Sequence, residues 1–249
     1  MCLIVVGWRV RPDYPLVVAA NRDEFYARPS TPIGRWPQAP QVIGGRDLEA
    51  GGTWLGIAEG GRFAAVTNVR EPGMAKGTRS RGELTRNFLV TDLPPKHYAD
   101  TIAYADYSGF NLLLADGDTL VYCSNRDGEP RALAPGVYGL SHHLLDSPWP
   151  KLLAARQAFS KALPGLPDTD AFFRILADEQ IVADENLPNT GVPLAWERLL
   201  SAVFVKSETY GTRASTLTWL HRDGGVTIRE RCFGPYGQPL QSSAISTGE

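Results

Sequence analysis

The sequence predicts a strand-rich, layered α+β domain, with sheets packed together and helices outside them. Three observations point there: short β-branched and apolar runs bounded by turn residues, their pairing into hairpins, and a few amphipathic segments set between the hairpins. With 249 residues, 43% hydrophobic and 21% charged, the chain can bury a sizeable core as one domain over residues 1–249.

The first hairpin is CLIVVGW and PLVVAAN, joined by RVRPDYP with its two prolines. Antiparallel pairing about a centre near Pro12 sets Cys2 against the stretch Asn21-Arg22-Asp23-Glu24. A second hairpin, TWLGIAEGGRFAAVTNVRE, turns at Gly60-Gly61 and ends its returning strand at Asn68. A third turns at Asp116-Gly117-Asp118 and a fourth near Asp223-Gly224-Gly225, with GVYGLSH as a further strand. Helices are expected in SPWPKLLAARQAFSKAL, with Ser147 as N-cap and Pro148 at the first helical position, in DTDAFFRILAD, and in SRGELTRNFLVT with Ser80 as cap. The small polar residues of SSAISTGE predict a flexible tail over about 242–249.

A formal charge of −2 gives no global basic field, so nucleic acid and anionic membrane are poor partners. Cys2, Cys123 and Cys232 show no CxxC spacing, which argues against a zinc site, a redox motif or a disulfide framework and fits a reducing, cytoplasmic setting. The opening apolar run has no basic residues before it and is too short for a membrane span, so no integral membrane segment is expected. Walker, Rossmann, HExxH and Ser/His/Asp signatures are missing, and no metal is expected.

Cys2 directly follows Met1. It has two readings: a small apolar residue opening a buried strand, or a nucleophile that gains a free α-amine once Met1 is removed. A thiol pKa near 8.5 and an amine pKa near 7.7–8.0 let one residue supply both nucleophile and base. Asn21, Arg22 and Asp23 read equally as a turn or as groups that orient an amine and favour a thiolate. Asn68 is a turn asparagine or an oxyanion donor. Arg213, in YGTRAST, is a surface arginine or a cation at a sheet end. Arg70, Lys76, Arg79 and Arg81 precede a helix start, where they form either a solvated loop or an anion site, and Trp8 and Trp54 offer an apolar wall. The adjacent His142 and His143 diverge in an extended strand, so they share no metal, although one can line a pocket.

The ordered set MCLIVV, AANRDEFYARP, GGRDLEAGGTWLG, TNVRE, SRGEL, GLSHHLLDSPWPK and YGTRAST resembles the Asn-Arg-Asp-Glu family, which includes the transport and Golgi organisation 2 proteins. The resemblance spans nearly the whole chain. Through its opening pattern the family looks like N-terminal-nucleophile hydrolases of the choloylglycine and penicillin V acylase kind. That likeness implies a four-layer αββα sandwich and cleavage of a non-peptide amide. It implies Cys2 as nucleophile, Asp23 from the N-x-D motif, Asn68 closing a later strand, and Arg213 as a late arginine near the nucleophile. Where the family usually reads GLSN this chain reads GLSHH, so His142 stands at the asparagine position. Asn21, Arg22, Trp54, Arg70, Arg79, Arg81 and His142 are then expected to contact a small amphiphilic, anionic substrate. No cofactor is expected. The alternative that the family implies is a non-catalytic carrier of haem or acyl-coenzyme A lipids, with the basic loop taking propionates or phosphates.

Overall fold

The computed structural model describes residues 2–248. In chain order the strands of the N-terminal half are β1 (Cys2–Trp8), β2 (Leu16–Phe25), β3 (Ser30–Trp36), β4 (Ala39–Asp47), β5 (Leu55–Ala58) and β6 (Arg62–Asn68). Helices α1 (Gly82–Leu89) and α2 (Pro95–Asp100) follow, then β7 (Phe110–Asp116), β8 (Leu120–Ser124), β9 (Arg131–Ala132) and β10 (Gly136–Ser141). The C-terminal part adds α3 (Pro150–Ala162), α4 (Asp170–Leu176), α5 (Leu194–Leu199), β11 (Tyr210–Leu220), β12 (Val226–Phe233) and β13 (Pro239–Ser246).

These strands form two antiparallel sheets, ordered β10-β1-β2-β11-β12-β13 and β3-β4-β5-β6-β7-β8-β9. All seven residues of β1 are buried, and their alternation explains why. Ile4, Val6 and Trp8 meet Ile43, Leu55, Ile57 and Phe63 of the facing sheet in the central core. Leu3 and Val5 point the other way, against Leu152 and Phe159 of α3 and Phe172 of α4. On the far side Phe88 of α1 and Tyr98 of α2 cover Ala64, Leu112 and Leu114 of the second sheet. The result is four layers, helix, sheet, sheet, helix, as expected. Trp8 is core rather than cavity wall.

The four expected hairpins are present, and Gly60 and Gly61 at φ +84° and +88° take the left-handed conformations that their turn requires. Three sequence expectations need correction. The helix after the histidine pair starts at Pro150 instead of Pro148, and the Ser147 hydroxyl donates to the Leu144 carbonyl (2.7 Å) instead of capping. The Ser80 side chain does not cap α1 either; the Ser80 N–H instead donates to Glu83 Oε1 (3.4 Å). Residues 242–246 of the expected tail form most of β13, paired with β12 from Arg231↔Ser242 to Thr227↔Ser246. Small polar side chains do not hinder edge pairing, which runs through the backbone.

The segment before β5 and the start of α1 are joined backbone to backbone. Thr53 N–H donates to the Gly82 carbonyl (3.2 Å), and the Thr85 hydroxyl donates to the Thr53 carbonyl (2.8 Å). A Cβ on Gly52 would lie 2.4 Å from the Gly82 carbonyl group, so only glycine permits this approach. Gly52→Ala is therefore expected to destabilise the protein by about 1–3 kcal/mol, a typical overpacking cost, read as a lower midpoint of urea unfolding.

Candidate active site

The start of β1 and the end of β2 set the geometry. Cys2 pairs with Arg22, Arg22 with Ala214, and Ala214 with Cys232, so one rung of side chains crosses four strands on the face toward the second sheet. The next rung on that face carries Thr216 and Glu230. Both rungs floor a cavity of about 590 Å³ that opens between the sheets and is lined by Cys2, Arg22, Asp23, Trp54, Asn68, Arg79, Arg81 and Arg213, among others. Seven cationic side chains and four carboxylates line it, so its field favours anions.

Arg22 donates to Ser30 Oγ (3.0 Å) and lies 3.7 Å from Asp47, to which Arg28 also donates (2.7 Å). Burial works against the Asp47 carboxylate, but the bonds from Arg28 and the Ala50 N–H hold its pKa below the usual range. Arg213 is the extra residue of a β-bulge, where the register between β2 and β11 shifts between Thr212 and Ala214. The bulge frees its guanidinium to donate to the carbonyls of Phe25 and Arg28. Arg81, just before α1, donates to the Gly109 carbonyl (3.1 Å). Arg79 is exposed at the rim and paired with Glu83 (2.9 Å).

Asp23 lies one residue past the rung and on the opposite sheet face from Arg22. It is fully buried, and the Thr212 hydroxyl donates to its Oδ1 (2.6 Å). Burial raises its pKa, while Lys151 of α3 opposes that shift. Lys151 is itself pushed down to about 8 by burial and donates to the carbonyls of Leu200 (2.7 Å) and Ala202 (3.2 Å). Glu230, 3% exposed, accepts from the Ile33 N–H (2.9 Å), and burial raises its pKa.

Three residues expected to contact substrate do not line this cavity. Asn21 faces the helices, donating to the carbonyls of Leu176 (2.8 Å) and Val203 (2.9 Å) and accepting from Ser215 (2.7 Å). Strand alternation turns it away from its neighbour Arg22. Arg70 is turned inward to Glu197 and His142, and His142 is fully buried. Arg28, Arg46, Asp47 and Glu230 line the cavity without having been singled out from sequence. The Arg-Asp pair in GGRDLEAGGTW was the available signal for two of them.

Residues 1–235 match the family described as Transport and Golgi organisation 2. The chain is 39% identical over 255 residues to the Transport and Golgi organization protein 2 homolog of Bos taurus, covering 93% of this chain and 92% of that protein. The chain belongs to the Transport and Golgi organisation 2 family. The human protein of the same name is 38% identical, again over 255 residues and with the same coverage. Among solved structures, a mutant conjugated bile acid hydrolase from Clostridium perfringens superposes with a TM-score of 0.52 at 9% identity, covering 98% of this chain and 92% of that one. That likeness is one of fold, the αββα sandwich of N-terminal-nucleophile hydrolases. Among the described residues of this family member, no helix is long and apolar enough to cross a membrane.

Burial pushes the Cys2 thiol from its ordinary 9.0 up to about 11, with the Arg22 charge acting the other way. At about pH 8 such a shift lowers the thiolate fraction roughly 100-fold. Iodoacetamide is therefore expected to alkylate Cys2 at least about 100-fold more slowly in the native protein than in the urea-unfolded chain, followed by peptide mass spectrometry. Equal rates would mean an open, activated thiol.

Proposed function

We propose that this protein is a cysteine amidohydrolase of the N-terminal-nucleophile kind, acting on a non-peptide amide in an amphiphilic, anionic substrate. The observation that carries this reading is the rung that holds Cys2 beside Arg22 on the floor of a cation-rich cavity. Met1 precedes Cys2 in the sequence, so the mechanism starts with its removal. The Cys2 thiol gives its proton to the freed α-amine as its sulfur attacks the amide carbonyl, and the amide of Asn68 donates to the developing oxyanion. As the C–N bond breaks, the ammonium returns that proton to the leaving amine. Water then hydrolyses the thioester, releasing the acid and restoring the thiol. Asp23 orients the ammonium from the far side of the rung. Tuning of the thiolate falls to Arg22, whose charge favours it, rather than to Arg213, whose guanidinium is held by two backbone carbonyls.

Intact mass of the recombinant protein, combined with turnover on a panel of N-acyl amides, tests the mechanism. Loss of Met1 and a drop of at least about 100-fold in turnover for Cys2→Ser are expected, given what a missing nucleophile costs. Fully retained Met1, or undiminished turnover in Cys2→Ser, would overturn it.

A second reading is favoured by the raised Cys2 pKa, which describes a protonated, unreactive thiol. In that reading the same cavity carries haem or an acyl-coenzyme A without cleaving it. Both readings need the arginines. Charge-assisted contacts are worth about 1.5–3 kcal/mol each, so Arg79→Ala/Arg81→Ala is expected to weaken palmitoyl-coenzyme A binding at least about tenfold by calorimetry, with the half-buried Arg81 supplying most of the loss. Binding that survives Cys2→Ala, with no cleavage by the wild type, would favour the carrier.

A further inference from the structure

Behind the cavity, on the other flank of β1, lies a buried polar chain that the proposed mechanism does not use. β1 pairs with β10 from Leu3↔Ser141 onward, so His142 directly follows the last paired residue of β10, at the end of β1 where Cys2 lies. His142 leaves the strand with φ +59°, uncommon for a residue with a side chain, and its carbonyl accepts from the Arg70 N–H (2.7 Å). The Arg70 side chain returns to the same residue. Its Nη1 donates to Glu197 Oε2 (2.7 Å) and its Nη2 meets His142 Nδ1 (2.8 Å), in a pair whose side chains are 4% and 5% exposed. Glu197 Oε1 is held in turn by the N–H (2.8 Å) and hydroxyl (2.6 Å) of Thr190. The Arg70 guanidinium also lies over the Trp149 ring, 5.3 Å from its centre.

A guanidinium has donors only, so His142 Nδ1 must accept. The proton of the neutral ring then sits on Nε2. That atom is buried and has no hydrogen-bond partner among the described residues. A buried donor without an acceptor is costly, and native proteins rarely keep one without a use. A buried ion pair such as Arg70–Glu197 is also a weak stabiliser, so positioning is the better account of why it is kept.

We propose that Arg70 and Glu197 are positioning residues that lock His142 as the neutral imidazole with its proton on Nε2. The groups facing the ring agree with a neutral imidazole. Burial, then the cations Lys151 from α3 and Arg70 from the loop after β6, all hold the His142 pKa well below the ordinary histidine value.

Long-range proton–nitrogen NMR on the full chain labelled with 15N-histidine reads the tautomer directly, with the His142 signals assigned by their loss in His142→Asn. The expected result is an unprotonated Nδ1 and a protonated Nε2, unchanged between about pH 5.5 and 8, a range over which an ordinary histidine titrates. In Arg70→Met the single tautomer should give way to a mixture or to titration, and Arg70→Lys, which restores a donor, should recover it. A proton on Nδ1 or an imidazolium in the wild type, or an unaltered tautomer in folded Arg70→Met, would overturn the lock. Should Arg70→Met not fold, the wild-type tautomer and the Arg70→Lys spectrum decide. Cys2→Ala is expected to keep the wild-type tautomer, so an absence of turnover would count against the hydrolase alone.

Discussion

The antiparallel register between β1 and β2 decides which side chains meet in the cavity, because both strands are buried on both faces and cannot slip. A shift of one residue would send Ile4 and Val6 toward the helices and Leu3 and Val5 toward the facing sheet, exchanging two cores at once. The same shift would turn Cys2 and Arg22 away from the cavity. The hydrophobic packing of the two inner layers therefore holds the chemistry in place. No side chain at the site needs to hold the strand itself.

This arrangement also sorts the charges. Guanidiniums on the cavity side are answered by carboxylates or backbone carbonyls along the wall, as with Arg22 and Arg28 on Asp47, Arg213 on Phe25 and Arg28, and Arg81 on Gly109. Each anchored cation keeps its position but remains beside solvent-filled space, where an anionic ligand gains from several at once. On the helix side there is no such space. Asp23, Lys151, Arg70 and Glu197 are buried there among fixed hydrogen bonds, and the pKa shifts of Asp23, Lys151 and Arg70 follow from burial first.

Much of this was legible in the sequence. The two prolines between the first apolar runs place the hairpin centre, and with it the contact between Cys2 and residue 22. The period-2 rule applies equally to Asn21-Arg22-Asp23, and it separates them: a run of polar residues at a strand end looks like one site, although alternate residues serve opposite layers. The β3–β4 hairpin is hard to see because prolines and glycines interrupt its apolar pattern, and β13 because its pairing uses backbone alone. Arg70 looked like one more cation of a basic loop. Its partner Glu197 is 127 residues away, and no local pattern reports a contact at that range.

Cys2 is thus held between two different kinds of order. Toward β2 it faces a cation that borders an open cavity, where the fold leaves room for a ligand. Past the last paired residue of β10 comes His142, in a closed polar chain whose members fix one another through a guanidinium that can only donate. An asparagine at position 142 would carry its own amide donors and need no outside group to define them, whereas a histidine offers a donor or an acceptor at each nitrogen according to its tautomer. A histidine there is a dependable donor only if something fixes the ring, and the buried Arg70–Glu197 pair supplies that constraint at the cost of desolvating two charges.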